Sequence, residues 1–101
     1  MILAKLIVKL VGYWMKAMLD SRASGNFISE KTVKVAGLPV SMKKHPYSLH
    51  IVNGQTMPGQ PMVNYEVVGV FMEIQGHTKE IDLDIVSKAT HDIVLGISWL
   101  R

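Results

Sequence analysis

The chain contains no cysteine among its 101 residues, which excludes a disulfide framework and any zinc site built on thiolates. Aromatic residues are scarce at 7%, while Met occurs seven times, so the core is expected to use adaptable aliphatic side chains rather than large rings. Charged residues make up only 19% against 49% hydrophobic, a balance that excludes a disordered chain. No apolar run approaches the ~20 residues a membrane-spanning helix needs. Lysines interrupt every candidate apolar core near the N-terminus and no small-residue cleavage site follows, so neither a transmembrane segment nor a secretory signal is read, and an intracellular, cytoplasmic location is expected. No Asn-x-Ser/Thr sequon is present. The positive excess is only +3, with the 11 Lys and Arg spread along the chain. A nucleic-acid surface concentrates its cations, so neither nucleic acid nor a membrane is the expected partner. The histidines at 45, 50, 77 and 91 lack the i,i+3 or i,i+4 spacing of helical metal ligands. No phosphate-binding Gly loop or Ser-centred elbow occurs, so no metal and no cofactor are expected.

What is present is enough for one domain. The first nineteen residues read two ways. Lys5, Lys9, Gly12 and Lys16 fall at helical spacing among apolar residues, the pattern of a basic amphipathic helix that could lie on a membrane surface. The β-branched Ile7, Val8 and Val11, with Gly12 in mid-pattern, argue instead for strands. Beyond residue 25 the pattern is clearer. Asn26-Phe27-Ile28 reads as a short strand, and Ser29 as the cap of a helix over Glu30–Ala36 that Gly37 ends and Pro39 stops. Lys43-Lys44-His45-Pro46 reads as a solvated loop. Tyr47–Val52 alternates into Asn53-Gly54, a strong hairpin signal, and the return strand is delayed by Pro58, Gly59 and Pro61 until Val63. Val67–Ile74 reads as a buried strand with Val68, Val70, Met72 and Ile74 on one face, and Gln75–Thr78 as a turn. Glu80–Ile85 alternates as a half-buried strand with Glu80, Asp82 and Asp84 as its solvent stripe. Asp92 sits in a turn, where local hydrogen bonding favours Asp. Ile93-Val94-Leu95 is a last buried strand ended by Gly96, and Ile97–Leu100 starts a possible helix. Short strands and turns at this spacing imply an all-β fold, closed or nearly closed, with one or two minor helices.

Ala17-Met18-Leu19-Asp20-Ser21-Arg22-Ala23-Ser24 brings an apolar run to one carboxylate, a hydroxyl and small residues suited to a tight turn. A strand-end Asp often does no more than cap its own turn. Here three further stretches stand downstream: Ala23-Ser24-Gly25-Asn26-Phe27-Ile28-Ser29, Ile51-Val52-Asn53-Gly54-Gln55-Thr56, and His91-Asp92-Ile93-Val94-Leu95-Gly96-Ile97-Ser98-Trp99-Leu100. Together they resemble the retropepsin-like aspartic proteases of retroviruses and gypsy-type LTR retrotransposons, over about residues 6 to 100.

The resemblance implies a retropepsin-like closed barrel with a flap hairpin, and it favours two strands in place of an N-terminal helix: Leu6–Leu10, a turn over Val11–Trp14, then Met15–Leu19. It implies an endopeptidase acting on extended peptides in polyprotein processing, as a homodimer, because no second Asp-Ser/Thr-Gly occurs and each subunit supplies one carboxylate. Asp20 inherits the catalytic role, with Ser21, Arg22 and Ala23 as loop support; Ser21 would bond across the dimer axis, or alternatively to its own turn. Ser24 and Gly25, with Val52, Asn53 and Gly54 of the flap, inherit substrate binding, although Asn53-Gly54 alone fits any surface hairpin. Val94, Leu95 and Gly96 would pass behind the catalytic loop and hold it. The end at Trp99-Leu100-Arg101 reads as a cut, so a domain excised from a longer polyprotein is expected.

One position departs from the family. Arg22 stands where the motif has Gly, a residue wanted there because two loops approach closely. A guanidinium about 4 Å from a carboxylate favours its ionised form by up to ~4 kcal/mol at an effective dielectric near 20, on the order of three pKa units. The shared proton of the mechanism would be lost, and impaired activity is the expectation. A non-catalytic binding or assembly module keeping the fold is the alternative from another class.

Overall fold

Strand β1 (Ile2–Leu10) and strand β2 (Tyr13–Asp20) form a hairpin in the computed structural model, which describes residues 2–21, 23, 25–48, 62–87 and 91–96. The connection is two residues long: Leu10 faces Tyr13, and Val11 and Gly12 both take positive φ, 49° and 87°. Such turns match the twist of the flanking strands. The strand reading of the N-terminal segment therefore holds, with a tighter turn than the Val11–Trp14 expected. Val8 and Leu10 are fully buried, whereas Ile7 points outward.

After β2 the chain makes strand β3 (Phe27–Ser29) and helix α1 (Glu30–Ala36). Ser29 Oγ accepts the Thr32 N–H at 3.1 Å, and Glu30 lies in the first turn, which suits the positive end of the helix dipole. At the other end Gly37 is left-handed, its N–H donates to the Lys34 carbonyl, and Leu38 N–H reaches Val33 O at 3.1 Å. That is the bonding of a Schellman motif. Strands β4 (Ser41–Tyr47), β5 (Val63–Ile74), β6 (His77–Val86) and β7 (Ile93–Leu95) complete the described elements.

The sheet order is β1-β2-β7-β3-β6-β5-β4, and β1 also pairs with β5 through Lys9↔Glu73 and Leu10↔Met72. Six strands thus close into a barrel, with β4 added at the free part of the β5 edge. The expected closed all-β architecture is what forms, with one short helix among the described residues. Val8, Leu10, Ile28, Val67, Met72, Leu83, Ile93 and Leu95 fill its centre. Met15, Met18 and Met72 are buried, but Met42 and Met62 are exposed, so branched aliphatics rather than methionines dominate the core.

Four local readings are corrected. Lys43–Pro46 lies within strand β4, not a loop; as an edge strand whose register shifts between Met42 and Tyr47, β4 tolerates a proline that could not donate to a ladder. Val68 does not share the inner face with Val70: the register shifts between Val67 and Val70, Gly69 takes φ 68°, and Val67 is buried in its place. A bulge at a left-handed Gly reverses the alternation. The turn after β5 is only Gln75-Gly76, since Ile74 pairs with His77. Asp84 is no solvent stripe. It accepts from Lys43 Nζ at 2.8 Å and from the Tyr47 hydroxyl, with its side chain only 18% exposed. The hairpin at residues 51–56 and the helix start at 97–100 lie outside the described residues.

Candidate active site

Alternation along β2 sends Met15 and Ala17 into the core and brings Asp20 to the strand's end, 4% exposed. The Asp20 carbonyl accepts the Ala23 N–H at 3.2 Å, the i→i+3 bond of a tight turn. Asp20 and the half-buried Ser21 both have interaction partners. The chain then returns through Gly25 and Asn26 into β3.

Between the strand entering this loop and the strand leaving it lies β7. It runs parallel to β2 (Ala17↔Ile93, Met18↔Val94, Leu19↔Leu95) and antiparallel to β3 (Phe27↔Val94, Ile28↔Ile93). Ile93 and Leu95 are fully buried. Gly96, the next residue, meets the back of the loop. A Cβ added there would fall 2.4 Å from the Gly25 carbonyl oxygen and 2.5 Å from that of Ala23, so only glycine fits. Its N–H donates to Asn26 Oδ1 at 2.9 Å, while the Asn26 carbonyl accepts the Asp84 N–H at 2.9 Å. Asn26 therefore ties the loop to both β7 and β6.

Of the residues singled out from sequence, Asp20, Ser21, Ala23 and Gly25 fall in one loop, with Val94, Leu95 and Gly96 behind it. Arg22, Ser24, Val52, Asn53 and Gly54 lie outside the described residues. Nothing in the sequence pattern marks Asn26, whose amide carries no periodic signal. The sequence suggests a local turn former at Asp92, but its bonds are long-range. Its carboxylate accepts from Thr32 Oγ1 at 3.0 Å and from the Lys16 N–H at 3.1 Å, and its carbonyl takes the Ser29 N–H. It fastens β2, the start of α1 and the start of β7 at one point.

A second polar group lies on β4, β5 and β6. Lys43 sits 2.8 Å from Asp84 and 3.5 Å from Glu66, with only 17% of its side chain exposed. The hydrogen bond to Asp84 is the main cause raising its pKa. Burial, and then the bond to Asp84, raise that of Tyr47 far above the ordinary phenol value. Among the described residues no group of three or more His, Cys, Asp or Glu could hold a metal ion, and no helix is long and apolar enough to cross a membrane.

A family model, the PEG10/RTL1 protease domain, matches residues 16–101, from mid-β2 onward. The chain belongs to this family. It is a retropepsin-like domain of gypsy-type retrotransposon ancestry, and the match includes the loop carrying Asp20 and the strand behind it. Solved structures agree on the fold. The retroviral protease-like domain of Ddi1 from Leishmania major superposes with a TM-score of 0.75 at 14% identity, covering 99% of this chain and 76% of that one. The EIAV protease, solved with the inhibitor HBY-793, gives 0.71 at 13% identity, covering 96% and 84%. At such identities the likeness shows the fold alone.

Proposed function

We propose that this chain is one half of a two-fold dimeric aspartic endopeptidase that cleaves extended peptides, as a domain of a longer polyprotein. Each subunit supplies one Asp20. Two such carboxylates brought together cannot both ionise readily, so they share a proton. The ionised member takes a proton from a water molecule as its oxygen attacks the scissile carbonyl, and the protonated member donates to the carbonyl oxygen. The observation that carries this reading is a carboxylate 4% exposed at a strand end, in a loop whose backbone leaves no room for a side chain at Gly96. Buried carboxylates are rare unless paired or used, and a clamped loop keeps such a group in place. Ser21 and Ala23 support the loop, Ser24 and Gly25 line the peptide path, and Val52, Asn53 and Gly54 belong to the flap that closes over it.

Arg22 depresses this copy. A cation beside each carboxylate stabilises both as anions and removes the shared proton, and its bulk keeps the two loops apart. Arg22→Gly and the parent are to be assayed side by side on a peptide library from pH 4 to 7. The variant should cleave substrates with bulky apolar groups at the scissile bond, with a bell-shaped profile belonging to the pair. Asp20→Asn should abolish the activity. An Arg22→Gly variant that dimerises but cleaves nothing overturns the catalytic assignment and leaves a binding module on the same fold. Full activity in the parent shows that Arg22 is tolerated.

A further inference from the structure

A groove of about 290 Å³ opens between the β1–β2 hairpin and α1, lined by Tyr13, Trp14, Lys31, Val35, Ala36 and Asp92 among others. It lies at the far end of β2 from Asp20, six residues or about 20 Å away at ~3.3 Å per strand residue. Its walls are apolar yet open to solvent: Trp14 is 66% exposed and Val35 69%. Large apolar side chains left this open beside a concavity mark contact surfaces, and the volume is at the small end of the ~300–1,000 Å³ range of ligand pockets. It suits one or two inserted side chains.

Three lysines surround the groove, and one carboxylate, that of Asp92, lies in its wall. Lys9 stands opposite Trp14 in the hairpin, its ammonium 5.7 Å from the ring centroid. Lys16 is exposed one strand period beyond Trp14 on the same face, and Lys31 is in the groove wall. None of the three is in an ion pair among the described residues. The nearby acids are largely engaged: Asp92 by Lys16 N–H and Thr32, and Glu30 by Lys34 at 3.1 Å. Glu73 faces Lys9 across the β1–β5 seam. An aromatic floor with a lysine rim complements a carboxylate-rich segment carrying one bulky apolar residue.

We propose that this groove docks a short acidic peptide segment, which inserts a Leu, Phe or Trp between Trp14 and Val35 and sets its carboxylates against Lys9, Lys16 and Lys31. The site is independent of the Asp20 chemistry and lies outside the peptide path assigned to it. Burying the apolar side chain supplies affinity, while the lysines select sign and make binding salt-dependent.

The probes are fluorescein-labelled 12-residue peptides rich in Asp and Glu with one central Leu, Phe or Trp, and matched peptides with Gln or Lys in place of the acids. The whole chain is titrated by fluorescence anisotropy at 0.05 and 0.3 M salt, and contacts are mapped by amide NMR shifts. The acidic peptides should bind at least about tenfold more tightly than the Lys series, and more weakly at the higher salt. Shifts should centre on Trp14 and Val35. Trp14→Ala should weaken binding by about tenfold or more, and Lys31→Glu should weaken it too; both side chains are on the surface, and circular dichroism verifies folding. Equal binding of acidic and basic peptides, or shifts away from the groove, overturns the proposal. So does binding to anionic phospholipid vesicles without peptide binding, or self-association through this face that Trp14→Ala removes.

Discussion

Gly96→Ala isolates the clamp behind the Asp20 loop. One methyl group is added, and it would lie 2.4 and 2.5 Å from two carbonyl oxygens. Both belong to backbone in the tight segment between β2 and β3, so neither can swing aside as a side chain would. Gly96 is not among the positive-φ glycines, so steric overlap alone is at issue. Overpacking of this kind costs ~1–3 kcal/mol. If the strand end backs away, the Gly96–Asn26 bond is lost as well, adding ~1 kcal/mol. The total of ~2–4 kcal/mol is a large part of the ~5–15 kcal/mol that holds a domain together. It corresponds to a fall in Tm on the order of 10–30 °C for a chain of this size. Urea unfolding followed by circular dichroism, at fixed protein concentration in case subunits associate, measures it. Gly12→Ala is the contrast: φ is 87° with nothing within 4 Å, so only the left-handed strain of ~1–2 kcal/mol applies. A Gly96→Ala variant within ~0.5 kcal/mol of the parent, the range of ordinary surface substitutions, would refute the clamp.

Three other outcomes follow. Asp92→Ala should cost ~1–2 kcal/mol, since it removes the bonds from the Thr32 hydroxyl and the Lys16 N–H and frees the β2–α1–β7 junction, while Thr32 keeps its bond to Ser29; thermal unfolding measures this, and a loss below ~0.5 kcal/mol contradicts the junction. Ser29→Ala should lower stability by ~1 kcal/mol through loss of the N-cap, read by the same assay. Lys43 and Tyr47 both have raised pKa values in the folded state, so their stabilisation is complete below the unfolded values of ~10 and is lost as pH rises beyond them. Stability should therefore fall as pH rises above about 10, and less steeply in Tyr47→Phe; an unchanged slope in that variant contradicts the assignment.

The elements were largely legible where a local signal was unambiguous. Ser29, Gly37 and Pro39 bracket α1 to the residue because caps act within a few positions of themselves. The N-terminal hairpin was not legible from periodicity: residues 5 and 9, four apart, share a face in a helix and in a strand alike. Only the downstream likeness to a protease family separated the two. At Gly69 a bulge reverses the alternation that Val68 to Ile74 suggests, and a lone Gly hints at that without locating it. The site divides the same way. Asp20 and Gly96 stand in short motifs, whereas Asn26, Asp84 and Asp92 act on partners 37 to 76 residues away, which no window of sequence displays.

The placement of β7 governs when the fold can form. Its partner β2 precedes it by more than seventy residues (Ala17↔Ile93), and β3 pairs with it as well. Closing a loop of that length costs ~4 kcal/mol of chain entropy before any contact repays it, and non-local pairings of this sort slow folding. A chain growing on the ribosome would thus hold a completed N-terminal hairpin long before the strand that steadies Asp20 has emerged. Until residue 96 is free, the carboxylate loop has no backing, so a nascent domain carries the motif without a shaped site. The loop takes its final shape only after the segment through Gly96 has been released.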